Sequence, residues 1–110
     1  VELARQRLPF VRRGGALDLL PEVIDTLSEG AVPLIYHSFT VYQFTQAMRD
    51  QLNDTLSEMA RYRDIYRVSL EWERQHEGAM MRLMTYHRGE MQAQTLARCE
   101  PHGRWMQWLL

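Results

Sequence analysis

The residues best placed to do chemistry are His37 and Ser38, which close the short apolar run Val32, Leu34, Ile35, Tyr36. A run of that length between two helix-like segments predicts a strand, 32 to 38, buried on both faces of an α/β sheet. The carboxyl end of a parallel strand is where open α/β sheets gather their ligands. Glu71 and Trp72 end a second predicted strand, and His102, Arg104 and Trp105 follow the last one. If these strands run in one direction, the residues share one rim. That rim could act as a substrate pocket, with His102 or His37 as general base and Glu71 as its orienting carboxylate. Arg104 would clamp an anion, Ser38 would touch the substrate, and Trp105 or Trp72 would form a wall. The competing assignment is structural. His37 and Ser38 then satisfy backbone groups at a strand end, while His-Gly-Arg-Trp forms a turn whose Trp105 and Trp108 pack on the sheet.

Other reactive types point away from further sites. His76, His87 and His102, with Glu77 and Glu90, lack metal-ligand spacing such as His-x-x-x-His, so no metal is expected. Ser38 lacks the Gly-x-Ser-x-Gly elbow of serine hydrolases. Cys99 sits in an apolar strand as a small core residue, and the methionines at strand and helix spacing fill core gaps. Arg61, Arg63 and Arg67, interleaved with Glu58 and Asp64, predict a solvated, salt-bridged face.

The elements that must position these residues follow from periodicity. Leu3 and Ala4 fit the last turns of a helix, and Pro9 stops it. Phe10-Val11 predicts a short strand near 8 to 12. Gly14-Gly15 turns into an amphipathic helix carrying Leu17, Leu20, Ile24 and Leu27. Pro21 fits its first turn, which puts the start near Leu20, and Gly30 is the expected C-cap. After strand 32 to 38, Val41, Phe44, Met48, Leu52, Leu56 and Met59 mark one face of a long helix, with Thr45 capping a second start within it. Strand 64 to 72 follows. The link Glu73 to Gly78 is too short for a crossover, so the run Ala79 to Tyr86 must return antiparallel. His87-Arg88-Gly89-Glu90 reads as a hairpin turn into a last strand, 91 to 99, in which Met91, Ala93, Thr95, Ala97 and Cys99 alternate with a more polar set. The expected architecture is α/β: two parallel βα units with right-handed crossovers, then a three-stranded antiparallel meander.

Composition bounds the rest. At 110 residues and 45% hydrophobic, the chain is a single α/β domain, 1 to 110, with a modest core. All 13 basic residues are arginine, and against 14 acidic residues they leave no basic patch for nucleic acid. No apolar run reaches the ~18 residues of a membrane helix and no signal peptide is visible. The single cysteine excludes an internal disulfide and favours the cytoplasm. The chain opens at Val1, without methionine, in residues like a helix tail, which points to the C-terminal portion of a longer protein.

Three stretches carry a resemblance: Arg12-Arg-Gly-Gly-Ala-Leu-Asp-Leu-Leu-Pro21, Leu34-Ile-Tyr-His-Ser-Phe39 and Pro101-His-Gly-Arg-Trp-Met-Gln-Trp-Leu109. Together they resemble the C-terminal part of a bacterial family catalogued as domain of unknown function 2332, whose longer members look like class I S-adenosylmethionine-dependent methyltransferases. The resemblance implies a partial Rossmann-like, methyltransferase-like sheet. It implies S-adenosylmethionine only for a longer parent protein, because this chain has no glycine-rich loop between a strand and a helix and carries Gly15 where an acidic residue tends to follow the Arg-Gly turn. In such a sheet two strands of the missing half would lie between strands 8 to 12 and 32 to 38. Without them strand 32 to 38 exposes unpaired backbone, which predicts a homodimer through that edge, pairing with the missing N-terminal half, or a different position for the first strand.

Overall fold

The computed structural model describes residues 2–7, 10–73 and 78–110. A short helix α1 (Glu2–Gln6) leads into irregular chain, then come α2 (Ala16–Asp25), β1 (Leu34–Ser38), a 3-10 turn at Val41–Gln43, and α3 (Gln46–Met59). The second half is all strand: β2 (Ile65–Trp72), β3 (Ala79–His87), β4 (Glu90–Cys99) and β5 (Met106–Trp108). The sheet runs in sequence order, β1-β2-β3-β4-β5, with β1 and β2 parallel and every later pair antiparallel. Among the described residues, no helix is long and apolar enough to cross a membrane.

Among the described residues there is one parallel βαβ unit, β1-α3-β2, where the sequence predicts two parallel βα units. The first expected strand does not form among the described residues: Phe10 and Val11 are 89% and 82% exposed. Two apolar residues framed by arginines have too little surface to bury a strand, and Leu8 and Pro9 lie outside the described residues.

Helix α2 starts earlier and ends earlier than its sequence suggests. Gly15 is the N-cap in extended conformation, and Pro21 lies inside the helix. Proline removes one interior hydrogen bond there, a loss accepted because Leu17, Leu20 and Ile24 pack into the core. Thr26 ends the helix, its hydroxyl donating to the Val23 carbonyl at 2.7 Å, so Gly30 is no cap. The long helix is broken where Thr45 allows it. The Thr45 hydroxyl accepts from the Met48 amide at 3.2 Å, so α3 begins there, after a separate 3-10 turn.

The β3-β4 connection is a two-residue turn with Arg88 and Gly89 both at positive φ, 50° and 83°, the backbone that matches strand twist in a tight hairpin. Along β4 the expected alternation breaks once. Met81 pairs with Ala97 and Arg82 with Thr95, which leaves Leu96 as the extra residue of a bulge. Strand β5, formed from the Trp-rich tail, has no counterpart among the predicted elements.

Ile24, Leu52, Leu56, Ala60, Ile65, Met84 and Tyr86 make the core, so α2 and α3 lie on one face of the sheet. Strand alternation places Ile35, His37, Ile65, Arg67, Ser69, Glu71, Arg82, Met84 and Tyr86 on that helix-covered face. The opposite face carries Leu34, Tyr36, Tyr66, Val68, Leu70, Trp72, Leu83 and Met81, with no charged residue along β1, β2 or Ala79 to Thr85.

Candidate functional site

Three side chains on the helix-covered face form a continuous polar chain. Glu71 ends β2, and its Oε1 accepts from His37 Nδ1 at 2.9 Å, from the Thr40 amide at 2.9 Å and from the Val41 amide at 2.7 Å. Oε2 also receives the Thr40 amide at 3.0 Å. On the far side of the imidazole, Arg67 Nε donates to His37 Nε2 at 2.8 Å. That donation fixes the tautomer: Nε2 must be the acceptor, so Nδ1 carries the proton given to Glu71. His37 is thus neutral, and its pKa lies below the ordinary value. Burial is the largest cause and the Arg67 charge adds to it, while the Glu71 hydrogen bond and charge oppose both.

The local chain is bent to make this possible. Phe39 takes a φ of 50° immediately after β1, a left-handed conformation that costs a bulky residue about 1–2 kcal/mol. The bend turns the next two amides back onto Glu71, and it is held by the Phe39 amide on the Leu70 carbonyl at 2.9 Å. The Phe39 ring packs against Tyr42 and Trp72 at centroid distances of 6.5 and 6.2 Å. Strained backbone of this kind concentrates at functional sites.

Arg67 is only 5% exposed. Its Nη1 donates to Asn53 Oδ1 at 2.8 Å and to the Tyr86 hydroxyl at 3.2 Å. The expectation that Arg61, Arg63 and Arg67 form one solvated face is therefore corrected. Arg61 does pair with Glu58 on the surface at 3.3 Å, but Arg67 belongs to β2, where period two turns it inward with Ile65 and Glu71. Arg63 reaches the carbonyls of Leu27 and Ser28 instead of a carboxylate.

Beside this chain lies an open groove of about 1110 Å³, whose lining includes His37, Arg49, Asn53, Arg67, Ser69 and Glu71. Arg82 also borders it, locked by two 2.7 Å bonds to Glu73 that raise its pKa. Of the residues predicted for the rim, the structure thus gathers His37, Glu71 and Trp72. Ser38 falls on the other face from His37, and its carbonyl accepts the Thr40 hydroxyl. His102 and Arg104 sit in the turn after β4, where both backbone amides donate to Glu100 Oε2 at 2.9 and 3.0 Å. Trp105 stacks under the Arg98 guanidinium, 5.8 Å from the ring centroid. These three do not line the groove. His76 and Glu77 lie outside the described residues.

Over residues 1–108 the chain matches the sequence profile of a family described as an uncharacterized protein conserved in bacteria, DUF2332. The chain belongs to that family. No curated protein and no solved structure matches it. In this DUF2332 chain, sequence reasoning missed Arg49, Asn53 and Ser69. Asn53 and Arg49 are one turn apart on α3, on a polar flank of a helix judged by its apolar face. Ser69 shares the alternation of β2 with Arg67 and Glu71, a signal present once strand 64 to 72 is drawn.

Proposed function

We propose that this chain supplies the substrate-facing wall of a small-molecule pocket in a methyltransferase-like protein, with His37 as the group that takes a proton. The observation carrying this is the Glu71–His37–Arg67 chain at the carboxyl end of the parallel pair β1-β2, bordering a groove large enough for a small molecule. Glu71 holds the imidazole and would stabilise its charged form, the part a carboxylate plays beside a catalytic histidine. The depressed pKa keeps His37 neutral near pH 7, as a base must be. Its Nε2 becomes free for a substrate only when Arg67 turns away, so proton transfer in this scheme requires Arg67 to engage the ligand first.

The residues present do not fit S-adenosylmethionine. No glycine lies between Gly30 and Gly78, and the Thr40 and Val41 amides at the end of β1 are already taken by Glu71. In this scheme the cofactor is held by a longer parent protein. Calorimetry of that protein with S-adenosylmethionine is the test, and an absence of binding heat sinks the methyltransferase assignment.

A second function, a non-catalytic module that associates with another copy, is favoured by the outer side of β1. That edge has no strand partner among the described residues, and it adjoins the uncharged sheet face, with Leu34 and Tyr36 exposed. Sedimentation giving a compact monomer at high concentration would count against it.

A further inference from the structure

The groove beside His37 has spare hydrogen-bonding capacity of one kind. Arg67 uses Nε and Nη1 on three neutral acceptors, His37, Asn53 and Tyr86, which leaves Nη2 without a partner among the described residues. Asn53 accepts through Oδ1, and its Nδ2 has no acceptor among the described residues. Arg49 gives Nε and Nη2 to the carbonyls of Val41 and Tyr42, and its Nη1 has no partner among the described residues. Ser69, buried beside Arg67 on the same face of β2, has a hydroxyl with no partner among the described residues. Every one of these groups can donate, and two carry charge.

The charge balance has the same sign. The groove is bordered by Arg49, Arg67 and Arg82 against Glu71 and Glu73, with His37 neutral. Glu73 is bound to Arg82, and Glu71 is spent on His37 and two amides. Arg67 is therefore a buried cation with no carboxylate in contact among the described residues, and a buried charge is costly unless it is paired. An acceptor-only anion would pair it.

We infer that the groove binds a small organic acid, its carboxylate held by Arg67 Nη2, Arg49, Asn53 and Ser69, and its apolar body against Tyr42 and Trp72. This rests on reading the groove as a substrate pocket, and it names the substrate class. The aromatic wall separates an organic acid from a bare inorganic anion, since Tyr42 and Trp72 offer ring surface at the same groove.

The test is a ¹H–¹⁵N correlation titration of the full chain with phenylacetate, octanoate, phenylacetamide and inorganic phosphate. At least one of the two acids is expected to give saturable shifts centred on the Asn53 side-chain amide, Ser69 and the Arg67 Nε–H. Phenylacetamide, which lacks the charge, is expected to bind at least roughly tenfold more weakly than phenylacetate, as the loss of charge-assisted hydrogen bonds requires. Arg49→Gln should weaken acid binding about fivefold to tenfold by the same reasoning, with other spectral changes confined to the Val41–Tyr42 turn that its guanidinium holds. Ser69→Ala serves as a second variant should Arg49→Gln not fold. The proposal is overturned by saturation with neither acid, by equal binding of phenylacetamide and phenylacetate, by shifts centred away from Asn53 and Ser69, or by phosphate binding as tightly as the acids. Acid binding without S-adenosylmethionine binding by the parent would leave this site standing and remove the methyltransferase assignment; the reverse outcome would remove this site alone.

Discussion

Glu71→Ala tests whether one carboxylate holds the end of β1 in place. The substitution removes the acceptor for three donors, His37 Nδ1, the Thr40 amide and the Val41 amide, all within 3.0 Å. Thr40 is exposed and its amide can turn to water, but the His37 side chain is only 11% exposed and Val41 is half-buried. Two buried donors left unmade cost about 1–3 kcal/mol each, so the expected loss is about 2–6 kcal/mol. Against a total of about 5–15 kcal/mol for a domain of this size, that is a large fraction. Glu71→Gln keeps one carbonyl oxygen and places an amide N–H₂ against the remaining donor, so its loss should be intermediate. Urea unfolding at pH 7, followed by tryptophan fluorescence, reads both. With a slope of about 1.5 kcal/mol per molar, Glu71→Ala should lower the midpoint by about 1–4 M. A loss below about 1 kcal/mol, or a Gln variant as damaged as Ala, would refute the view that Glu71 organises this turn.

Acid should destabilise the protein through His37. Its folded pKa is lowered, so as pH falls through 6.5 the unfolded chain takes up a proton that the folded chain refuses. Stability should therefore fall between pH 6.5 and the lower folded value, be unaffected by this group above pH 6.5, and lose this slope in His37→Asn, as read by unfolding midpoints across pH. Arg88→Asn should stabilise by about 0.5–1 kcal/mol, because asparagine tolerates the left-handed turn position that arginine occupies at a φ of 50°; an unchanged melting temperature would contradict this. Leu56→Ala, at a side chain with 0% exposure between α3 and the sheet, should cost about 2–5 kcal/mol in the same urea assay. Cys99 is buried and its thiol pKa is pushed up by that burial, so disulfide-exchange labelling should be slow in buffer and accelerate sharply through the urea transition.

The fold from β1 to β4 was legible because its signals are local. The short link after Trp72 forces an antiparallel return, Gly89 marks the hairpin, and Thr45 caps α3 as its hydroxyl permits. What failed depended on tertiary packing. Pro21 lies inside α2 because core contacts outweigh one lost hydrogen bond, and Phe10-Val11 forms no strand among the described residues, where both side chains stand exposed. The tail from Met106 pairs as β5 because the edge of β4 is available to it, a fact of assembly invisible in three residues. For the site, His37, Glu71 and Trp72 followed from strand ends and direction. Arg67 was misjudged because its neighbours Arg61 and Arg63 are surface residues, and charge clustering in sequence outweighed the period-two pattern that turns it inward.

The sheet inverts the usual division between a buried apolar face and a solvated polar one. The charged side chains along β2, Arg67 and Glu71, point under the helices, while Tyr66, Val68, Leu70 and Trp72 point away from them. The inversion is sustainable on the helix side because α3 is itself divided. Leu52 and Leu56 seal the core, whereas Arg49 and Asn53, one turn apart on its flank, border the groove beside the polar chain. On the other side, a parallel pair such as β1-β2 is normally covered on both faces, and an uncharged face carries no repulsion against an apolar partner. The proposed ligand groove and the proposed association surface thus lie on opposite faces of one sheet. They meet at Phe39 and Trp72, whose rings touch where β1 and β2 end. A partner resting on the uncharged face would press on the same bend that aims Thr40 and Val41 at Glu71, which gives contact on one face a physical route to the position of His37 on the other.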